Sequence, residues 1–301
     1  MPDDERTEPD ERTEPSVSRE ALRRLRRVDG FVFDMDGTLV LGDRQNQGLR
    51  ALPGAVELTR ELDRRGVPFA VFTNGTTRPP QRYAEVLRSL GIPVADGNVL
   101  TPASAAVAHF ADVGHRRVMV LGGDGLSEPL REAGFEPVAR ARGAHADAVL
   151  VGWFREVTFA DLEAACDAVW QGARFYSSSG SLFFATAAGR TLGTSRLISA
   201  AVHDATGVEV EVVGKPSRHA LHAAARRLGV GSGRVAVVGD DPELEMAMAH
   251  SGGALAVAVA TGLHGLAHFA TLPPEQRPDL SLPGVDALRD LYMGDSNSVI
   301  F

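Results

Sequence analysis

Short apolar runs that each stop at a polar residue recur along this 301-residue chain, and they leave few architectures open to it. Phe31-Val-Phe33 stops at Asp34, Val67 to Phe72 at Thr73, and Arg234 to Val238 at Gly239-Asp240; Glu211-Val-Val213 leads to Gly214-Lys215. Runs without polar alternation suit strands buried on both faces, as in a parallel sheet. The segments between them carry helix signals. Pro53 precedes Ala55, Leu58 and Leu62, with Gly66 after them, and Pro79-Pro80 precedes Tyr83, Val86, Leu87 and Leu90, with Gly91 after them. Strands alternating with helices across short turns predict an α/β fold with a doubly wound parallel sheet.

A second series follows. Strands are expected near 117–121, 147–152 and 173–177, with helices near 102–113, 126–133 and 158–171. The last of these helices places Phe159, Leu162, Cys166 and Val169 on one stripe. Residues 178–194, rich in Ser, Gly, Ala and Thr without periodicity, read as a loop. Helices near 195–205, from Ser217 to Gly229, over 242–250 and near 285–292 complete the pattern, with strands at 254–259 and 279–282.

Composition excludes several classes. Apolar content of 44% and charged content of 23% are those of a globular protein. No run of about 18 apolar residues is present, so no membrane span is expected, and the acidic N-terminus lacks the apolar region of a signal peptide. Seven acids and two arginines in residues 1–15 account for −5 of the net charge of −8. No basic stripe stands out, which argues against a nucleic-acid partner; Arg23, Arg24, Arg26 and Arg27 read as a solvated helix face. The single cysteine, Cys166, rules out an intrachain disulfide and fits a reducing, cytoplasmic setting.

The chemistry concentrates at 34–38, Asp-Met-Asp-Gly-Thr. Two carboxylates this close repel unless a cation or proton lies between them, and hard oxygen ligands favour Mg²⁺. In open parallel sheets ligands bind outside the carboxyl ends of the strands. If the four strands share one sheet, Asp34, Thr73, Lys215 and Asp240 meet in one crevice. Such a set fits phosphoryl transfer, with an aspartate as nucleophile and a lysine and a cation balancing charge.

Asp34-Met-Asp-Gly-Thr38, Phe72-Thr-Asn-Gly75, Gly214-Lys-Pro216 and Val238-Gly-Asp-Asp241 resemble the four motifs of the haloacid dehalogenase superfamily. From about Phe31 to Leu291 the chain is similar to its subfamily IIA phosphatases, the NagD-type and phosphoglycolate, pyridoxal phosphate, glycerol phosphate and nitrophenyl phosphatases. The resemblance implies a Rossmann-like catalytic core over 18–100 and 196–295 and an inserted α/β cap over 101–195, while the composition ahead of it predicts a disordered acidic tail over 1–17. It implies a Mg²⁺-dependent phosphatase acting on a small phosphorylated metabolite through an aspartyl-phosphate. In that reading Asp34 is the nucleophile, Asp36 the acid/base, and Thr73, Asn74, Gly75 and Lys215 hold phosphate. The metal falls to Asp34, Asp36 (through its carbonyl) and Asp240, with Asp241 and Glu245 as further candidates. A homo-oligomer through the cap is a further expectation.

The chain departs from the family pattern twice. Glu245 stands where the fourth motif usually has a second aspartate, and 177–184, Ser-Ser-Ser-Gly-Ser-Leu-Phe-Phe, lacks the usual Asn-x-Asp of the cap. These favour an alternative, a non-catalytic phosphometabolite-binding or regulatory protein on the same fold; intact Asp34 and Asp36 count against it. A nucleotide-dependent oxidoreductase ranks lower, because Gly122-Gly-Asp-Gly125 lacks the dinucleotide spacing and reads as a cap turn. His203, His219, His222 and His250 share no metal spacing and read as surface or packing residues. Arg78, just after Phe72-Thr-Asn-Gly75, reads equally as a residue within reach of a substrate and as an exposed loop arginine.

Residues 4–15 repeat Asp-Glu-Arg-Thr-Glu-Pro twice and have almost nothing to bury. Deleting residues 1–15 should leave Tm and activity unchanged; a large drop in either would mean that the tail docks on the folded chain.

Overall fold

The structure, a computed structural model, describes residues 16–42, 48–186, 189–262 and 264–294, without the side chains of Ser16 and 183–191. The expectations for residues 1–15 and 296–301, and for the side chains of Phe183 and Phe184, lie outside the described residues.

Seven strands form the first sheet, in the order Ser16–Val17, Leu280–Leu282, Leu255–Val259, Val235–Gly239, Gly30–Phe33, Phe69–Phe72, Val99–Leu100. All pair in parallel except the short Ser16–Val17, which runs antiparallel to Leu280–Leu282. The last two residues assigned to the tail, 16–17, are therefore part of the sheet. Side chains alternate between faces, as a pleated strand requires. Phe31 and Phe33 join the core under the helices Ala55–Arg64 and Val285–Met293, while Val32 joins the opposite core under Arg218–Leu228. With both faces covered, the strands are buried end to end, which is why they read as unbroken apolar runs.

From Gly30–Phe33 the chain winds outward through Phe69–Phe72 to Val99–Leu100. It later returns to wind the other way through Val235–Gly239 and Leu255–Val259. The order reverses between Gly30–Phe33 and Val235–Gly239, and a sheet of this kind opens a crevice at that point.

A second sheet, wholly parallel, has the order Glu211–Val212, Arg174–Ser177, Ala148–Val151, Arg117–Leu121, Glu136–Val138. The helices Phe159–Trp170 and Thr194–Thr206 cover one face, and Pro102–Val113 and Asp124–Glu132 the other. Thr158 and Asp161 cap the start of Phe159–Trp170 reciprocally, each backbone N–H donating to the other side chain. Pro102–Val113 lies between the two units. Its Ala105 packs into the first sheet's core, and its Ala103, Ala106 and Phe110 pack into the second's.

The structure corrects four expectations. Strand Glu211–Val212 lies in the second sheet, so the four strands do not share one sheet, and helix Thr194–Thr206 packs on that sheet too. The inserted unit therefore runs well past residue 195, because Ile198, Val202 and Val210 complete its core. The loop expected over 178–194 contains an antiparallel hairpin, Phe183–Thr186 with Gly189–Leu192, which the periodicity does not announce. Phe159 is exposed although it lies on the helix stripe, because it is the first residue of the helix and falls beyond the end of the buried part, which begins at Ala164.

The carboxyl ends of the two sheets face each other across the loop 73–78. Trp153, just past Ala148–Val151, donates its N–H to Thr76 Oγ1 at 3.0 Å. Gly125, in the first turn of Asp124–Glu132, lies so close that a Cβ there would be 2.2 Å from Thr76 O and 2.7 Å from Arg78 N. Both are backbone atoms that cannot swing aside. Gly125→Ala should therefore cost about 1–3 kcal/mol by overpacking, read as a lower urea midpoint. Gly123→Ala, with open space around the new methyl, should be near neutral; equal effects at the two positions would remove the steric cause.

Candidate active site

Asp34 leaves the central strand at the reversal point, with its N–H donating to Val238 O at 2.8 Å. Phe33 is in register with Val238 on one side and Val71 on the other. Asp34, Thr73 and Asp240 consequently emerge on three adjacent strand ends. Gly37 turns the chain at φ +84°, a conformation that favours glycine. A Cβ on Gly37 would lie 2.8 Å from Asp240 Oδ2, and one on Gly262 would lie 1.9 Å from the same atom. Both positions thus leave room for the Asp240 carboxylate only because they lack side chains. Thr261 Oγ1 ties the two turns by donating to Gly37 O at 2.6 Å. Sequence reasoning missed Thr261-Gly262, although it too follows an apolar run, Leu255–Val259.

Lys215 arrives from the other sheet and still reaches the cluster. The Asn74 side chain grips its backbone twice: Nδ2 donates to Lys215 O at 3.0 Å, and Lys215 N donates to Asn74 Oδ1 at 2.9 Å. Nζ donates to Asp34 Oδ1 and, at 2.6 Å, to Glu245 Oε1. Exposure is 2% for Lys215, 8% for Asp34, 5% for Asp240 and 1% for Glu245. Burying an ammonium is costly unless it is paired, so this lysine is held by its two carboxylates. They keep its pKa above the ordinary lysine value, against the opposing effect of burial.

Glu245 owes its reach to a π-helical turn, Pro242–Met246, such as often marks functional sites. Its other oxygen accepts the Asp241 N–H at 3.1 Å, and a Cβ on Gly239 would be 2.1 Å from its Cγ. Burial, opposed by Lys215 and reinforced by the charges of Asp34 and Asp240, pushes the Glu245 carboxyl up to about 8. The cluster holds three buried carboxylates against one ammonium, and the excess negative charge draws in a proton where no cation is bound.

The remaining sequence-marked residues take different places. Asp36 is half-buried beside the turn, with its charge felt by the half-buried Tyr83, whose hydroxyl pKa is raised mainly by desolvation. Thr73 is buried, and its Oγ1 accepts the Gly75 N–H at 3.1 Å, shaping the 73–75 turn. Tyr83 supports that turn from below: a Cβ on Gly75 would be 2.4 Å from its hydroxyl. Two candidates have partners of their own. The Asn74 side chain bonds the Lys215 backbone and so positions the lysine. Asp241 Oδ1 accepts from Glu243 N at 2.8 Å and caps the π turn. Arg78 is exposed on the loop.

Fold and cluster together define a two-unit α/β protein whose acid–lysine centre lies where the first sheet reverses. A haloacid dehalogenase-like hydrolase family model matches residues 31–136, and a HAD-hydrolase-like model matches 212–290. The chain is 30% identical over 246 residues to the 5′-nucleotidase YutF of Bacillus subtilis, covering 81% of this chain and 92% of that one. It is 28% identical over 243 residues to the acid sugar phosphatase of Staphylococcus aureus, covering 80% and 90%. A solved p-nitrophenylphosphatase from Bacillus stearothermophilus superposes with a TM-score of 0.74 at 29% identity, covering 86% and 97%. The chain belongs to the haloacid dehalogenase-like hydrolase family.

Glu245 binds a proton in the folded, metal-free cluster at a pH where the unfolded chain, with an ordinary value of 4.5, has lost it. Its contribution is therefore fully present below about 4.5 and disappears as pH rises through about 8. Chelator-treated protein should lose stability over that window, and Glu245→Gln, neutral throughout, should flatten the slope. Urea midpoints across a pH series check this; an unchanged slope in the variant would place the proton elsewhere.

Proposed function

We propose that the chain is a Mg²⁺-dependent phosphoric monoester hydrolase that works through an aspartyl-phosphate on Asp34. The observation that carries this reading is the buried charge deficit around Asp34, Asp240, Glu245 and Lys215 at the sheet's reversal point. Three carboxylates and one ammonium leave a net −2, which a divalent cation matches. The donors are hard oxygens, as Mg²⁺ requires. Asp34, Asp240 and the Asp36 carbonyl would hold the ion, with Glu245 behind them through Lys215. Bound there, Mg²⁺ supplies charge neutralisation that lets an anionic nucleophile approach an anionic phosphate.

In the first step an Asp34 carboxylate oxygen forms a bond to phosphorus while the bond to the leaving oxygen breaks, and Asp36 gives that oxygen its proton. In the second, Asp36 takes a proton from water, the water oxygen attacks phosphorus, and Asp34 is released with inorganic phosphate. Lys215 balances charge at the attacking oxygen, and Thr73 with the 73–75 turn donates to phosphoryl oxygens. Positioning and electrostatics account for most of the acceleration such a reaction needs.

The substrate class is a small phosphomonoester. The named relatives support it: one is a 5′-nucleotidase, another an acid sugar phosphatase. The loop after Ser177 sets the leaving-group side. Ser177 Oγ donates to Ser179 O at 2.9 Å and Ser178 Oγ lies 3.1 Å from Ser195 Oγ, so both are occupied inside the cap. Ser179 and Ser181 remain half-buried in an uncharged stretch, which suits uncharged or partly apolar leaving groups better than cationic ones. The cytoplasm, with its reduced cysteine, is the setting, and the exposed Phe159 and Trp170 of one cap helix offer a face for a second copy.

A phosphomonoester panel, with and without Mg²⁺, tests the activity. Asp34→Asn should abolish turnover with the fold intact; near-normal activity would end the covalent mechanism, and a silent wild-type chain would favour a binding protein. Asp36→Asn should lose about 10²–10⁴-fold on alkyl phosphates and less on nitrophenyl phosphate, whose leaving group needs little protonation. Equal losses would argue against the acid role.

A further inference from the structure

The two chain crossings between the units carry a cluster that the proposed chemistry does not use. His109 lies on helix Pro102–Val113, where the chain enters the cap; Glu211 lies on the cap sheet's edge strand, where the chain leaves it. His219 follows at the start of helix Arg218–Leu228, back in the core. One ligand atom from each comes within 4.8 Å of the other two, and all three residues are half-buried. His219 Nε2 is 2.6 Å and His109 Nε2 3.8 Å from Glu211 Oε1, with the two imidazole rings 4.1 Å apart.

These separations bracket what a tetrahedral ion needs. With metal–nitrogen and metal–oxygen bonds of about 2.0–2.2 Å, tetrahedral ligand atoms stand roughly 3.3 Å apart. One pair must open by well under an ångström and the other close by about half of one. A hydrogen bond accounts for the His219–Glu211 contact. It leaves His109 Nε2 unexplained: that atom is buried and has no hydrogen-bond partner among the described residues. Buried polar atoms without a partner are uncommon and call for a cause.

The surroundings suit a cation. The Tyr176 ring packs edge-on to His109 at 5.5 Å, fixing one side of the imidazole, and the Tyr176 hydroxyl is occupied by His115 Nε2 at 3.0 Å. Arg174 approaches Glu211 Oε2 only to 3.9 Å and is largely exposed, so the carboxylate is not neutralised there.

We infer that His109, Glu211 and His219 form a zinc-class metal site of three protein ligands at the hinge between core and cap. Two imidazoles and one carboxylate are a donor set that Zn²⁺ takes, with a fourth position left to water. The ion ties the outgoing crossing to the returning one and restrains the cap against the core. The inference is independent of the reaction assigned to Asp34.

The test uses the full chain carrying Asp240→Asn, which weakens metal binding at the acid–lysine cluster, in saturating Mg²⁺. Zn²⁺ is titrated against a chromogenic chelator, and Tm is followed in parallel. One Zn²⁺ should bind with a rise in Tm. His109→Ala and His219→Ala should each weaken that binding by more than about 100-fold, beyond the loss typical of an outer-shell partner. Equal affinity in either variant, or no zinc bound below about 10 μM, overturns the site. Should a variant fail to fold, zinc-edge X-ray absorption on the Asp240→Asn parent decides instead. Scattering from two imidazoles supports the site, and one or none overturns it.

Discussion

The Lys215 ammonium, buried between Asp34 and Glu245, is the interaction on which the arrangement of this site depends. A buried ion pair adds little net stability, because desolvation offsets most of its attraction. Removing one partner leaves an uncompensated charge, so the three residues are constrained together. The lysine enters from one sheet, the aspartate from another and the glutamate from a π turn. Their meeting fixes how the two units sit. Asn74 is the device that makes this possible, since its side chain holds the Lys215 backbone at both N and O.

That constraint explains the small residues around the cluster. Gly37, Gly239 and Gly262 each border a carboxylate of Asp240 or Glu245 at distances a Cβ could not share. Charge is concentrated by bringing backbone close to side chain, leaving little room for water to screen it. The low local dielectric sharpens every interaction there. It also gives Glu245 its raised pKa and the cluster its need for a cation.

The second sheet mirrors the first: both reverse strand order near their middle, and their carboxyl ends meet at the 73–78 loop. Thr76 is a contact, receiving the Trp153 N–H from the cap on its side chain while its own backbone and that of Arg78 pack on Gly125. Thr73 and Thr76 lie three residues apart on one loop, so a change in how the cap sits would be felt at the phosphate-side turn. His109, Glu211 and His219 lie at the two chain crossings between the units, and the returning crossing also carries Lys215 to the acid–lysine cluster.

The order of apolar runs and helical stripes was enough to show a parallel α/β fold and to set Asp34, Thr73 and Asp240 at the ends of strands, whereas the inserted unit came from the resemblance of the four motifs, and neither gave its bounds or the sheet that carries Lys215 into the site. Burial on both faces of a strand and on one stripe of a helix leaves a local record in the residues themselves. Glu245 was visible as a substitution within the fourth motif, but its bond to Lys215 was not, because that contact joins residues 30 apart through a π turn. The sheet to which Glu211–Val212 belongs, the hairpin inside 178–194, the role of Asn74 and the approach of His109 to His219 were decided by tertiary structure alone. Each depends on which surfaces of distant segments come together. A strand of two residues, a serine-rich hairpin and two histidines 110 positions apart carry no periodicity that could announce it.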